Sequence, residues 1–344
     1  MSAPRVPLSM LDLAIVSAGR TSVDALAATT AVAKRADALG FKRFWVAEHH
    51  NMASVASTTP PVLMAHLAAV TEQIHVGSGG IMLPNHPPLV VAEHIAALEA
   101  LYPGRVDLGL GRAPGTDQRT AAALRRQAGQ LSAEEYPRDL LDLMSLLGDP
   151  RDERALGAHF RATPAAVTFP EIWLLGSSGF SAQLAGMLGL PYSFAHHFGM
   201  GGTEQAVELY RKSFEASPVL EQPYLLITAN VLVAETEDEA NRLAAPGRLM
   251  TRDIGRGRFE PLQSPDDAIA ALETVEEPVN LLGFAPRRER TGRVAGTPEQ
   301  TVAYLDDLVA TTGADEVMVS TVAYDAETRV RSTELLHQAW LADT

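Results

Sequence analysis

Eight short apolar runs, each followed by a stretch with helical signals, constrain this chain of 344 residues more than any other feature. They read as roughly Leu11–Ser17, Arg43–Ala47, Ile74–Gly79, Val106–Leu110, Ile172–Leu175, Tyr192–Ala195, Leu225–Val233 and Glu316–Thr321. Strand and helix that alternate in this way make a parallel sheet with helical crossovers. Val317-Met318-Val319 is continuously hydrophobic, as a strand covered on both faces should be. Eight strands with interleaved helices fit a closed barrel better than an open doubly wound sheet. The expected fold is therefore α/β, a (β/α)8 barrel in one domain over residues 1–344, although length alone suggests two domains. With 46% apolar residues, the core of such a barrel is readily filled.

The helix ends are legible. One helix starts near Ser22, carries Asp24 in its first turn and stops at Gly40. Ser264-Pro265-Asp266-Asp267 and Thr297-Pro298-Glu299-Gln300 each set a capping side chain before a first-turn proline. Ser181 to Leu188, closed by Gly189, is a further short helix, and another is expected near Pro137–Leu147. Two connections are too long for plain loops and read as insertions after strands 4 and 7: Arg112 to Glu171, and Glu235 to Asp315. The second holds the arginine-rich stretches Arg248–Arg258 and Arg287–Arg293, and about 246–293 reads equally as a lid or as a peripheral helical pair.

Composition excludes several functions. A net charge of −14 without a basic run disfavours nucleic acid and anionic membrane surfaces. Without cysteine there is no disulfide, thiolate zinc site or cysteine nucleophile. The N-terminus has no signal layout and no stretch reads as a membrane span, so a cytoplasmic location is expected. The dinucleotide fingerprint fails at Gly109-x-Gly111, and neither a Walker lysine motif nor a G-x-S-x-G elbow occurs. Glu48, His49 and His50 alternate in direction along a strand. At most Glu48 and His50 share a face, which counts against a metal hydrolase without removing it.

In a barrel of this kind chemistry gathers where strands end. Here the strand ends supply Glu48-His49-His50-Asn51, Gly79-Gly80, Gly111-Arg112, Gly176-Ser177-Ser178-Gly179 and His196-His197-Phe198. Ser177, Ser178 and Gly179, with Ser181 at a helix start, offer free N–H groups, hydroxyls and the positive end of a helix dipole, or else simply cap that helix. Arg112 brings a planar donor fork for a phosphate, or a rim salt bridge. Gly79 and Gly80 let backbone approach a flat ring, or turn a tight corner. His49 could move a proton, or be a satisfied structural histidine.

Taken together, the strings Trp45 to Met52, Val76 to His86 and Pro103 to Asp117, with weaker matches at Leu175–Pro191 and Gly296–Gln300, resemble the bacterial luciferase-like flavin-dependent monooxygenases, in particular their single-gene subgroup. The resemblance implies reduced FMN as cofactor and molecular oxygen as co-substrate. It also implies a separate flavin reductase, a flavin C4a-hydroperoxide and oxygenation of a small organic substrate, as in polyketide tailoring. His49 matches a histidine that acts on the flavin peroxide. Gly79-Gly80 falls where the family has a non-proline cis peptide. Arg112, Ser177, Ser178 and Ser181 match phosphate positions, and His196 a residue beside the ring. A homodimer is likewise implied. Gly111 stands where luciferase has a reactive cysteine and Ser177 where it has an acid, so light emission does not follow. The alternatives are an F420-dependent hydride-transfer enzyme of the same superfamily, a flavin-binding protein without turnover, and a metal-dependent hydrolase.

Overall fold

Each of the eight apolar runs overlaps a strand in the structure, a computed structural model that describes residues 5–113, 115–116, 118–125, 135–149, 151–274 and 292–342. In chain order the strands are β1 (Leu8–Asp12), β2 (Arg43–Val46), β3 (His75–Ser78), β4 (Ile81–Met82), β5 (Val106–Gly111), β6 (Glu171–Gly176), β7 (Tyr192–Phe194), β8 (Leu225–Val233), β9 (Arg293–Gly296) and β10 (Glu316–Ser320). All pairings are parallel. The order β10-β1-β2-β3-β5-β6-β7-β8 closes through β8 and β10, which makes the (β/α)8 barrel.

Two short strands fall outside the expected eight. β4 pairs with the end of β5, and β9 pairs with Asn230–Val233 of β8 beyond the barrel closure. The first strand lies three residues earlier than its apolar run suggests. The reason is Asp12, whose carboxylate accepts the Ala14 N–H at 2.6 Å while Ala14 takes a φ of 48°, and this turn ends pairing.

Several helices begin and end at capping residues. Among them, α1 (Ser22–Leu39) has a capping box between Thr21 and Asp24 and a left-handed Gly40. Then come α2 (Pro60–Val70), α3 (Pro88–Leu101), α4 (Gln118–Arg125), α5 (Tyr136–Leu146), α6 (Gly179–Met187), α7 (Thr203–Ser213) and α8 (Glu237–Ile254). Last are α9 (Pro265–Glu273), capped by Ser264, α10 (Pro298–Thr312), with a Thr297–Gln300 capping box, and α11 (Ala326–Leu341). Among the described residues no helix is long and apolar enough to cross a membrane. The insertion after the fourth barrel strand holds α4 and α5; that after the seventh holds α8, α9, β9 and α10. Of the expected lid, residues 275–291 lie outside the described residues, and 246–254 are the second half of α8.

Alternation along the strands sorts side chains into two cores. Met10, Phe44, Val46, Leu174, Ile227 and Val317 point outward and join the cluster under the helices. Leu11, Trp45, Trp173, Leu226 and Met318 point inward and pack together, the two indoles edge to face at 5.3 Å. Below this layer the inward positions are charged. Buried Arg43 donates to Asp107 (2.8 Å) and Glu316 (3.1 Å) and lies over the Trp173 ring. Above it they become small: Ala47, Gly79, Gly111, Ser193, Ala195, Thr228 and Ser320. The filled core therefore stops at the tryptophan layer and leaves a hollow at the C-terminal end of the strands.

Candidate active site

That hollow is a cavity of about 890 Å³. Its floor is Leu11, Trp45 and Met318, and its walls are the strand ends and one face of α8. His49, Gly79, Gly80, Arg112, Ser177, Ser178 and Ser181 all line it, so seven residues singled out from sequence meet in one space. Gly179 and His196 do not. Gly179 is the first residue of α6, where a methyl group would meet Leu209 at 3.0 Å.

His196 is buried away from the cavity. Its Nδ1 lies 2.9 Å from the Thr203 hydroxyl and its Nε2 3.3 Å from that of Tyr304. The next residue, His197, takes the lining position instead. The reason is local: after Phe194 the chain leaves extended geometry for a single 3-10 turn over His196–Phe198, so alternation no longer predicts direction.

The serine wall can hold an anion. Ser178 is the N-cap of α6 in extended conformation (φ −147°, ψ 169°), yet its side chain makes no capping bond. The first-turn N–H groups and the Ser177 and Ser178 hydroxyls are thereby left for a ligand at the positive end of the helix. Gly176 makes room for Ser181, because a methyl there would sit 2.7 Å from the Ser181 Cβ. Arg112 stacks its guanidinium over Phe180 at 4.2 Å and has no carboxylate partner among the described residues. Among the described residues neither a Ser178 side-chain cap on α6 nor a carboxylate bridge to Arg112 is formed.

Next to this wall the Gly79–Gly80 peptide is cis. A methyl at Gly79 would meet Leu11 at 2.6 Å, and one at Gly80 the Gly109 carbonyl oxygen at 2.7 Å. Gly80 thus answers to a close backbone approach and Gly79 to the Leu11 and Trp45 side chains, and the pair leaves a side-chain-free surface facing the cavity.

Two histidines face the same space in defined states. His49 Nδ1 lies 3.2 Å from the Gly115 carbonyl, which can only accept, so Nδ1 carries the proton and Nε2 keeps its lone pair. Burial holds the His49 ring below the usual histidine pKa. The buried Nδ1 of His197 has no hydrogen-bond partner among the described residues. Burial, then the nearby His196, His49 and Arg293, push its pKa down to about 3. It is a neutral ring with an unused acceptor.

A residue whose role sequence reasoning left open fixes this geometry. Glu48 is fully buried and accepts from His50 (2.9 Å), His86 (2.8 Å), Asn85 (3.2 Å) and the Met82 N–H (3.0 Å). Burial would raise its carboxyl, but the hydrogen bonds from His86 and His50 and the Met82 amide outweigh that and hold it below the ordinary range. Glu48 ties the loop after β2 to the loop after β4, so His49 is presented by a rigid frame. Among the described residues no cluster of His, Asp and Glu could hold a metal.

Comparison with known proteins places this arrangement. A family model described as luciferase-like monooxygenase matches residues 8–316. A luciferase-like monooxygenase of Escherichia coli strain K12 is 39% identical, over 97% of this chain and 97% of its own length. The N-acetyl-S-alkylcysteine monooxygenase of Bacillus subtilis is 34% identical, over 98% of this chain and 99% of its own. Among solved structures, apo-MsnO8 superposes with a TM-score of 0.89 at 35% identity, covering 98% of both chains. The oxygenating constituent of 3,6-diketocamphane monooxygenase of Pseudomonas putida, solved with FMN, shares the fold: TM-score 0.70, 19% identity, 98% of both chains.

Proposed function

We propose that this chain, which belongs to the luciferase-like monooxygenases and is an oxygen-using oxidoreductase, binds reduced FMN in the barrel-mouth cavity and oxygenates a small organic substrate there. One observation carries the reading. An arginine without a carboxylate partner among the described residues and a helix start without a side-chain cap share a cavity with glycine backbone and a neutral histidine. A phosphorylated planar ring fits that set. Arg112, Ser177, Ser178 and Ser181 would hold the phosphate. Gly79 and Gly80 would lie against the ring. When bound, reduced flavin supplies the two electrons that let oxygen place one atom in the substrate and the other in water.

The protein's own part is positional. His49 Nε2, its lone pair left open because Nδ1–H donates to the Gly115 carbonyl, stands ready to take or return a proton at the reacting oxygen. Met52, Val55, Phe198 and Met200 at the mouth exclude water. A separate reductase would deliver the reduced cofactor, and a homodimer is expected.

The test supplies a flavin reductase, NADH and FMN under ¹⁸O₂, with a panel of thioethers and ketones. One labelled oxygen per product, lost on His49→Ala, is expected. Reduced FMN that reoxidises at its free rate with no labelled product would refute the reading. Binding of F420 in preference to FMN would move the chain to hydride transfer.

A further inference from the structure

The cavity is more positive than one cofactor phosphate requires. Among the described residues it is lined by three arginines, Arg112, Arg248 and Arg293, and by no aspartate, glutamate or lysine. This happens in a chain with a formal charge of −14, so the local sign is reversed against the whole.

Arg112 belongs to the serine wall. The other two stand on a different wall, built from α8 and β9. Along α8 the lining residues are Asn241, Ala244, Gly247, Arg248, Met250, Thr251 and Ile254, which recur at three- and four-residue spacing and so share one side of the helix. The other face carries Ala245 and Leu249, which pack on Ala268 of α9. The α8–α9 pair thus fixes the direction in which Arg248 points.

Arg248 is half-buried, and both its hydrogen bonds are to neutral groups: the Asn241 side-chain oxygen at 3.3 Å and the Asn241 carbonyl at 2.6 Å. Among the described residues no carboxylate pairs with it. Arg293 donates to Thr251 at 3.3 Å, and burial together with the facing charge of Arg248 holds its pKa below the usual arginine value.

We infer that Arg248, supported by Arg293, is the recognition site for an anionic group on the organic substrate, and that the substrate is a small carboxylate with an apolar body. The apolar body is required by Ile15, Val55, Met250 and Ile254 around it, and the planar guanidinium fork of Arg248 suits a carboxylate. This rests on the reading above, in which the cofactor phosphate takes the Arg112 wall. The substrate of the Bacillus subtilis relative, an N-acetyl-S-alkylcysteine, is itself a carboxylate with an apolar arm.

The experiment compares acid with ester. Binding of N-acetyl-S-benzylcysteine and 4-phenylbutyrate, each beside its methyl ester, is measured by calorimetry on the FMN-loaded protein and repeated without FMN. The acids should bind at least about tenfold more tightly than the esters, the difference expected of one charge-assisted hydrogen-bonded pair. Arg248→Gln should abolish that preference and leave ester binding unchanged, and Arg248→Lys should keep part of it, with melting temperature unaltered in both. Equal binding of acid and ester, no binding of either acid, or a preference that survives Arg248→Gln would each overturn the inference. So would a loss of FMN affinity in Arg248→Gln as large as that in Arg112→Ala, since the phosphate would then sit on α8. A protein that binds no flavin yet prefers the acids through Arg248 would sink the cofactor reading and leave this one standing.

Discussion

Replacing Arg112 by alanine separates the phosphate from the ring as sources of cofactor affinity. The guanidinium has no carboxylate partner among the described residues, so its removal leaves no stranded anion there and the fold should hold. What disappears is a charge-assisted hydrogen bond to the phosphate, worth about 1.5–3 kcal/mol, or roughly 12- to 150-fold in the dissociation constant. The stacking of Arg112 on Phe180 at 4.2 Å goes too, but an exposed contact of this kind is worth only about 0.5–1 kcal/mol and does not involve the ligand. The assay is quenching of flavin fluorescence during titration, with FMN and with riboflavin, which has the same ring and no phosphate. Arg112→Ala should weaken FMN by that factor and leave riboflavin unchanged, so that the two flavins become nearly equal. A variant that loses both equally, or neither, would refute the assignment of the serine wall to phosphate.

Other outcomes follow from the same geometry. His49→Ala should lower oxygenated product by about 10²–10⁴-fold, the usual contribution of one general acid–base, while FMN affinity changes little; parallel loss of flavin binding would give His49 a structural role instead. His197 titrates near 6.5 when unfolded and near 3 when folded, so the unfolded chain takes up the proton first. Its contribution to stability is complete above pH 6.5 and is lost as pH falls toward 3, about 1 kcal/mol by pH 5.5. Denaturant midpoints measured from pH 7.5 to 5.5 should show that decline in the wild type and a shallower one in His197→Asn. Gly80→Ala places a methyl 2.7 Å from the Gly109 carbonyl and should destabilise by about 1–3 kcal/mol, read as a lower melting temperature.

Much of this could be read from sequence because the signals were local. β8 runs over Leu225–Val233 as its apolar run does, and α1, α9 and α10 start at their capping residues. The convergence of His49, Gly79, Gly80, Arg112 and the serines needs only the rule that strand ends share a rim. What escaped depends on contacts between distant segments. Arg293-Val294-Ala295-Gly296 is too short to announce a strand and exists because β8 outruns the barrel to pair with it. His197 replaces His196 in the cavity because one 3-10 turn breaks the alternation. Glu48 could be matched with His50 from spacing, but its bond to His86 joins loops 38 residues apart. The cavity face of α8 did carry a signal, the small and polar series Asn241, Ala244, Arg248 and Thr251, which reads as solvent-facing until the helix is seen over the barrel mouth.

A crystal structure with FMN bound tests the central claim most directly. The account predicts the phosphate at the start of α6, touching Arg112 and the Ser177 and Ser178 hydroxyls, and the ring against Gly79–Gly80 within reach of His49. A phosphate held by Arg248 and Arg293, or a ring outside the barrel mouth, would contradict it.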